Sequence, residues 1–228
     1  MKPLTFLLLS ILTVHLSYSQ INEIGIFAGG SNFIGDVGAT HFIAPKQPAL
    51  GAIYKWNKSK RHSYRASIIS SDLKGIDLKS NDPRRIQRGY EFSSKILELS
   101  LGMEFTFLDF NLHSEKKIGT PYLYSGISAA NHDNHYFSKS IQTPENTSSW
   151  AFGIPMALGY KTNIIGNIIL GFEIGARYTF SDELDGSFPN NKNNEKYHFG
   201  NINNNDWYVF SGFTLTYTFG ENPCYCAN

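Results

Sequence analysis

From Asn22 onward, apolar and polar residues alternate with a period of two, and almost no stretch sustains a helical period. The clearest case places Ile168, Leu170, Phe172, Ile174, Ala176, Tyr178 and Phe180 on one side of an extended chain, with Ile169, Gly171, Glu173, Gly175, Arg177 and Thr179 on the other. Successive side chains of a strand point to opposite faces, so one face is apolar and the other small or charged. Leu97 to Phe107, Trp150 to Lys161 and Gly212 to Phe219 repeat the pattern, and weaker versions run through Asn22–Gly30, Leu50–Asn57, Arg61–Ser71 and Thr120–Ala130. The pattern predicts eight strands.

A soluble sandwich also alternates. Three features point instead to a strand barrel that crosses a membrane. Several of these strands run to roughly ten residues or more, the length a tilted lipid-spanning strand needs, against about 5–6 in an ordinary sheet. Aromatic residues gather at strand ends: Tyr54 and Trp56, Trp150 and Tyr160, Tyr178 and Phe180, Trp207, Tyr217 and Phe219. Such girdles sit at membrane interfaces. The small-or-charged face suits the narrow interior of an eight-stranded barrel, which side chains fill.

Long segments follow strands one, three, five and seven: Ser31–Gln47, Asp72–Gly89, Asn131–Ser149 and Ser181–Asp206. Shorter ones follow two, four and six: Lys58–Lys60, Asp109–Gly119 and Thr162–Gly166. Long connections lie outside and short ones in the periplasm in bacterial barrels, which predicts both mature termini in the periplasm. The long segments are rich in Asn, Asp, Ser and Gly, a loop composition. The expected architecture is therefore an all-β, eight-stranded antiparallel transmembrane barrel of the bacterial outer membrane.

Composition adjusts this picture at the ends. Met1-Lys2, the apolar run Leu4–Leu16 and small residues at Ser17-Tyr18-Ser19 read as a secretory signal peptide over 1–19, cut after Ser19 or Gln20. The barrel then occupies 20–220, and 221–228 form a periplasmic tail. No later run is long enough for a spanning helix. The net charge of +1 points to neither nucleic acid nor an anionic surface as partner.

Three constellations could carry chemistry. Glu98, Glu104, Lys161, Glu173 and Arg177, with Arg65, fall on the inward face. Buried charges must pair, so they form either a salt-bridged plug or a narrow ion path. His132 and His135 sit in the third long segment with no further ligand at convincing spacing, and read as part of a solvated polar loop. Cys224 and Cys226 flank one residue, so a bond between them would be strained. An intermolecular disulfide, free thiols, a strained local bridge and, last, a two-ligand metal site all remain open. His62, His113 and His198 stand in no recognisable catalytic motif; the expectation is a non-enzyme without cofactor or metal.

Several segments resemble the PorG family, outer-membrane barrel components of the Bacteroidota type IX secretion system. They are Glu23–Gly38 (EIGIFAGGSNFIGDVG), Gly51–Asn57, Thr120–Gly126, Gly171–Gly186 (GFEIGARYTFSDELDG), Asn205–Phe213 and the Pro223–Cys226 tail. The resemblance implies a non-catalytic role, with a PorK-like lipoprotein and PorN-like ring proteins as periplasmic partners beside outer-membrane lipid. It also implies a part in exporting cargo with C-terminal sorting domains, including gliding-motility proteins. The Cys224/Cys226 tail and the Asp109–Gly119 turn would form the docking surface. A small generic outer-membrane barrel, passive pore or OmpA-like, and a lipid-modifying enzyme are the alternatives; no small-molecule substrate is expected.

Overall fold

The chain closes into a single antiparallel ring of eight strands, each paired with its sequence neighbour and the last with the first. The computed structural model describes residues 21–112, 116–201 and 204–220. The expected signal peptide and the Cys224/Cys226 tail lie outside these residues. The strands are β1 (Ile21–Ile34), β2 (Gln47–Asn57), β3 (His62–Ile76), β4 (Glu91–Thr106), β5 (Gly119–Ser138), β6 (Ile141–Ile165), β7 (Ile168–Thr179) and β8 (Trp207–Phe219). Closure leaves no sheet edge, so the ladder satisfies its own backbone groups, as any chain crossing hydrocarbon must.

The period-two pattern separates the two faces. In β7 exposed and buried positions alternate, and the outward set of every strand is dominated by exposed apolar residues such as Leu99, Leu101, Ile127, Phe152, Leu158, Phe213 and Leu215. Aromatics bound this belt. Trp150 and Tyr160 lie ten positions apart on β6. The cross-strand pair Tyr178/Trp207 stands at one end of the β7–β8 ladder, and Tyr217 opposite Ile168 stands at the other. Ten residues of tilted strand span about 25 Å, the height of an outer-membrane apolar band. The wall is that of an outer-membrane barrel.

Most strands are longer than the alternation predicts, because they continue past the girdles. The largest correction concerns Asn131–Ser149, expected as a solvated polar loop. β5 and β6 instead run on as a hairpin that ends in Lys139-Ser140, both at positive φ, a type I′ turn matched to strand twist. A register shift at Asp133/His135 interrupts this ladder. His132 and His135 are therefore buried strand residues, not solvated loop residues. Polar composition hid this extension, because above the membrane a strand has no lipid to face.

The other long connections also have structure. Between β3 and β4 lie a 3-10 turn at Asp77–Lys79 and a short helix, α1 (Pro83–Arg88). Asp82 caps α1 by accepting from Arg84 N, Pro83 opens it, and Gly89 closes it in the left-handed conformation. The β7–β8 connection contains a 3-10 helix at Lys192–Tyr197, whose Tyr197 stacks on Tyr136 of the hairpin at 4.9 Å.

The interior also departs from the expectation of a small-and-charged face throughout. Toward the long-loop end, the inward positions carry Phe27, Phe33, Ile53, Ile69, Leu73, Phe92, Ile96 and Phe210, one buried apolar cluster that continues through Phe137 of the β5–β6 hairpin and Val37 and Leu184 of the loops. Charges occupy the remainder of the lumen.

Candidate functional site

The lumen network is built from alternate residues of β1 to β8, and cross-strand register sets its levels. Nearest the short turns, Glu104 lies between Lys55 and Lys161, each ammonium 2.7 Å from one carboxylate oxygen. Glu23 joins this level: it accepts from Asn57 Nδ2 at 3.0 Å and from Thr216 Oγ1 at 2.8 Å, with Lys55 Nζ 4.0 Å away. One step up, Arg65 forks onto Glu173 at 2.6 and 2.9 Å, and the Tyr122 hydroxyl donates to the same carboxylate at 2.7 Å. The guanidinium also lies over the Tyr124 ring at 4.6 Å. At the third level Arg177 donates to Glu98 at 3.0–3.3 Å, to Gly175 O at 2.6 Å, and stacks on Phe210; the Tyr208 hydroxyl donates to Glu98 at 2.6 Å.

Four carboxylates (Glu23, Glu98, Glu104, Glu173) thus face four cations (Lys55, Arg65, Lys161, Arg177), all 2 % exposed or less. Glycine makes room for them. A Cβ on Gly175 would lie 2.6 Å from the Arg177 guanidinium, and one on Gly159 would overlap the Tyr122 ring. Buried Phe110, with Lys161 Nζ 4.8 Å from its ring, covers the short-turn end, and the apolar cluster fills the other. This is a packed interior held by charge-assisted hydrogen bonds. Glu98, Glu104, Lys161, Glu173 and Arg177 all point inward: Glu104 meets Lys161 on one level, Glu98 meets Arg177 on another, and Glu173 lies between them with Arg65. Sequence reasoning missed Lys55, Glu23, Tyr122 and Tyr208. Lys55 between Tyr54 and Trp56 carried a usable signal, since outward neighbours require an inward charge.

The long-loop end forms a stitched cap. Asp185 accepts from Asp36 N (2.8 Å), Val37 N (2.9 Å) and Ser187 N (3.0 Å); Asp206 accepts from Leu184 N at 2.9 Å. Asp77 accepts from Gly38 N, Tyr90 N and the Arg88 guanidinium, and Arg88 lies 4.8 Å from both the Tyr90 and Phe199 rings. The carboxylates of this cap are less well balanced than those of the lumen. Burial raises the pKa of Asp206 well above the usual carboxylate range, helped by Asp185 and Asp182. Burial also raises Asp185, and burial with the charges of Asp185 and Asp36 raises Asp182 to about 7.

The histidines do not converge. His62 lies against Phe105 at the short-turn end, and His198 lies against Phe188 at the other; His113 is outside the described residues. His135 stacks on Phe92 at 5.4 Å, and both ring nitrogens of His132 lack a hydrogen-bond partner among the described residues. Among the described residues, no group of three or more His, Cys, Asp or Glu side chains is placed to hold a metal ion.

A family profile described as a domain of unknown function (DUF6089) matches residues 2–228. The chain belongs to the DUF6089 family. A comparison of this DUF6089 chain with curated proteins returned no match. Among solved structures it is similar to Ail, the attachment invasion locus protein of Yersinia pestis (11 % identity over 88 % of this chain and 99 % of that one, TM-score 0.49). It is also similar to a major outer membrane protein of Thermus thermophilus (11 %, 89 % and 100 %, 0.48) and to the N-terminal β-barrel domain of Pseudomonas aeruginosa OprF (9 %, 89 % and 98 %, 0.42). At such identities and scores, no ligand or partner transfers to the DUF6089 chain.

Proposed function

We propose that this DUF6089 protein is a non-catalytic outer-membrane component of the type IX secretion system, joining the membrane to a periplasmic ring of PorK-like and PorN-like proteins. The observation that carries a non-conducting role is the lumen. Buried ion pairs at three levels, covered by Phe110 and by an apolar cluster, leave no route for cargo, so the barrel acts through its surfaces. The link to secretion rests on the resemblance of Glu23–Gly38, Gly171–Gly186 and Asn205–Phe213 to the PorG family. These segments belong to the adjacent strands β7, β8 and β1 and to the cap they lead into.

In this reading the long loops face outward and both termini face the periplasm. The Cys224/Cys226 tail and the Asp109–Gly119 turn dock the ring, and a disulfide from the tail to a neighbouring subunit secures it. Pull-down from cross-linked native membranes tests the role. Ring proteins should co-purify with the wild type, and deletion of the gene should abolish export of cargo bearing C-terminal sorting domains. Unimpaired export would overturn it. A non-reducing gel tests the fastener: a reductant-sensitive band of higher mass should vanish in C224S/C226S, and identical mobility with and without reductant would eliminate the cross-link.

A further inference from the structure

The β1–β2 connection leaves the barrel rim and returns along the outer wall. Asn32, an outward position on β1, donates to His41 O (2.9 Å) and Phe42 O (3.2 Å) and accepts from Ala44 N (3.3 Å). Gly30 lets the strap lie flat, since a Cβ there would meet Pro45 Cβ at 2.6 Å. The strap covers Val209, an outward residue of β8 that is only 2 % exposed, while Phe42 and Ile43 remain exposed. On one side of this ridge a groove of about 520 Å³ runs over β1, β8 and β7, lined in part by Ile43, Pro45, Pro48, Phe172 and Phe213.

Two features of this groove are foreign to a wall that meets only bulk hydrocarbon. Ser211 lines it with a hydroxyl that is more than nine-tenths buried and has no hydrogen-bond partner among the described residues. An unmet buried hydroxyl is costly. Lys46 stands at the rim of the groove, partly buried. The charge acting on it is that of Lys79, and burial together with that like charge lowers its pKa. Neither lysine forms an ion pair among the described residues. Lys46, on which the like charge of Lys79 acts, thus stands at the mouth of an apolar groove without an ion-pair partner among the described residues, beside a hydroxyl equally unpartnered there.

We infer that the groove holds one phosphate-bearing lipid of the adjoining leaflet, its acyl chain along Ile43, Phe172 and Phe213, its carbonyl accepting from Ser211 and its phosphate at Lys46, where the charge of Lys79 also acts. The groove lies at the level of Val209 and Ser211, just inside Trp207 of the girdle, where a lipid's carbonyl and headgroup meet the chain region. The inference rests on the barrel crossing a membrane and is independent of the secretion role.

Native mass spectrometry of the full mature protein, released from micelles with equal phosphatidylglycerol and phosphatidylcholine, tests it. The wild type should retain a single phosphatidylglycerol with about thirtyfold preference, as two lysines near a lipid surface would give. K46E/K79E should lose the preference, and K46Q/K79Q serves if the first variant does not fold by heat-modified gel mobility. S211A should retain less lipid of both kinds. K192E/K196E, the same charge change on another loop, should behave as wild type. Millimolar inorganic phosphate should not displace the adduct; displacement would overturn the acyl-chain contact. Equal retention of the two lipids by the wild type, or an equal loss in K192E/K196E, would overturn the site.

Discussion

Glu173 accepts three hydrogen bonds, two from Arg65 and one from Tyr122, and is itself only 1 % exposed. Removing one member of such a pair leaves an uncompensated charge, whereas replacing both by apolar side chains of similar volume is often neutral. R65M should therefore destabilise the folded barrel by about 3–5 kcal/mol, and R65M/E173L should recover most of that loss. Urea titration of tryptophan fluorescence in micelles checks this; a double variant as weak as the single would show that the pair does more than cancel charge. Arg65 was visible in the sequence as an inward position on β3, but its partner was not. Glu173 lies 108 residues away, and only ring closure sets β7 across the lumen from β3.

At the scale of elements, the extended β5–β6 hairpin and the cap behave differently. Lys139 and Ser140 occupy left-handed conformations, which cost L-residues roughly 1–2 kcal/mol each and suit Asn-Gly. K139N/S140G should stabilise the hairpin tip, seen as slower amide exchange at Phe137 and Ile141; faster exchange would refute the turn. The cap carries its own pH dependence. Asp182 has a folded pKa of about 7, above its unfolded value near 3.9. Its contribution is complete below the unfolded value and is lost as pH rises through about 7. Asp185 and Asp206 shift in the same direction. Amide exchange of residues 181–201, corrected for intrinsic rates, should accelerate from pH 6 to pH 8, and D182N should flatten that rise. Protection that increases with pH would contradict the assignment. The element boundaries were partly hidden in sequence because polar extensions beyond the girdle keep the strand geometry while losing the apolar half of its pattern.

For the whole molecule, four acids against four bases inside a filled barrel imply a wall without a conduit. Reconstituted protein should give no stable conductance steps in planar bilayers. Ohmic steps of uniform size would show that the lumen opens, and would favour a passive pore over an interaction role. The strap on the outer wall adds a second consequence at this scale, because it makes one side of the cylinder different from the rest and so gives a nearly round barrel a preferred face.

Alternation alone determined the class of this protein: eight strands, an apolar outer wall, aromatic girdles and inward charges at Glu98, Glu104, Lys161, Glu173 and Arg177. These follow from local geometry, since a period of two assigns each residue a face whatever its neighbours. Tertiary structure decided which charges meet, that the long-loop end of the lumen is apolar, that His132 and His135 lie in a hairpin, and that Asp36, Asp185 and Asp206 gather under one cap. Those features depend on register and closure, which join residues far apart in the chain and leave no periodic trace in it.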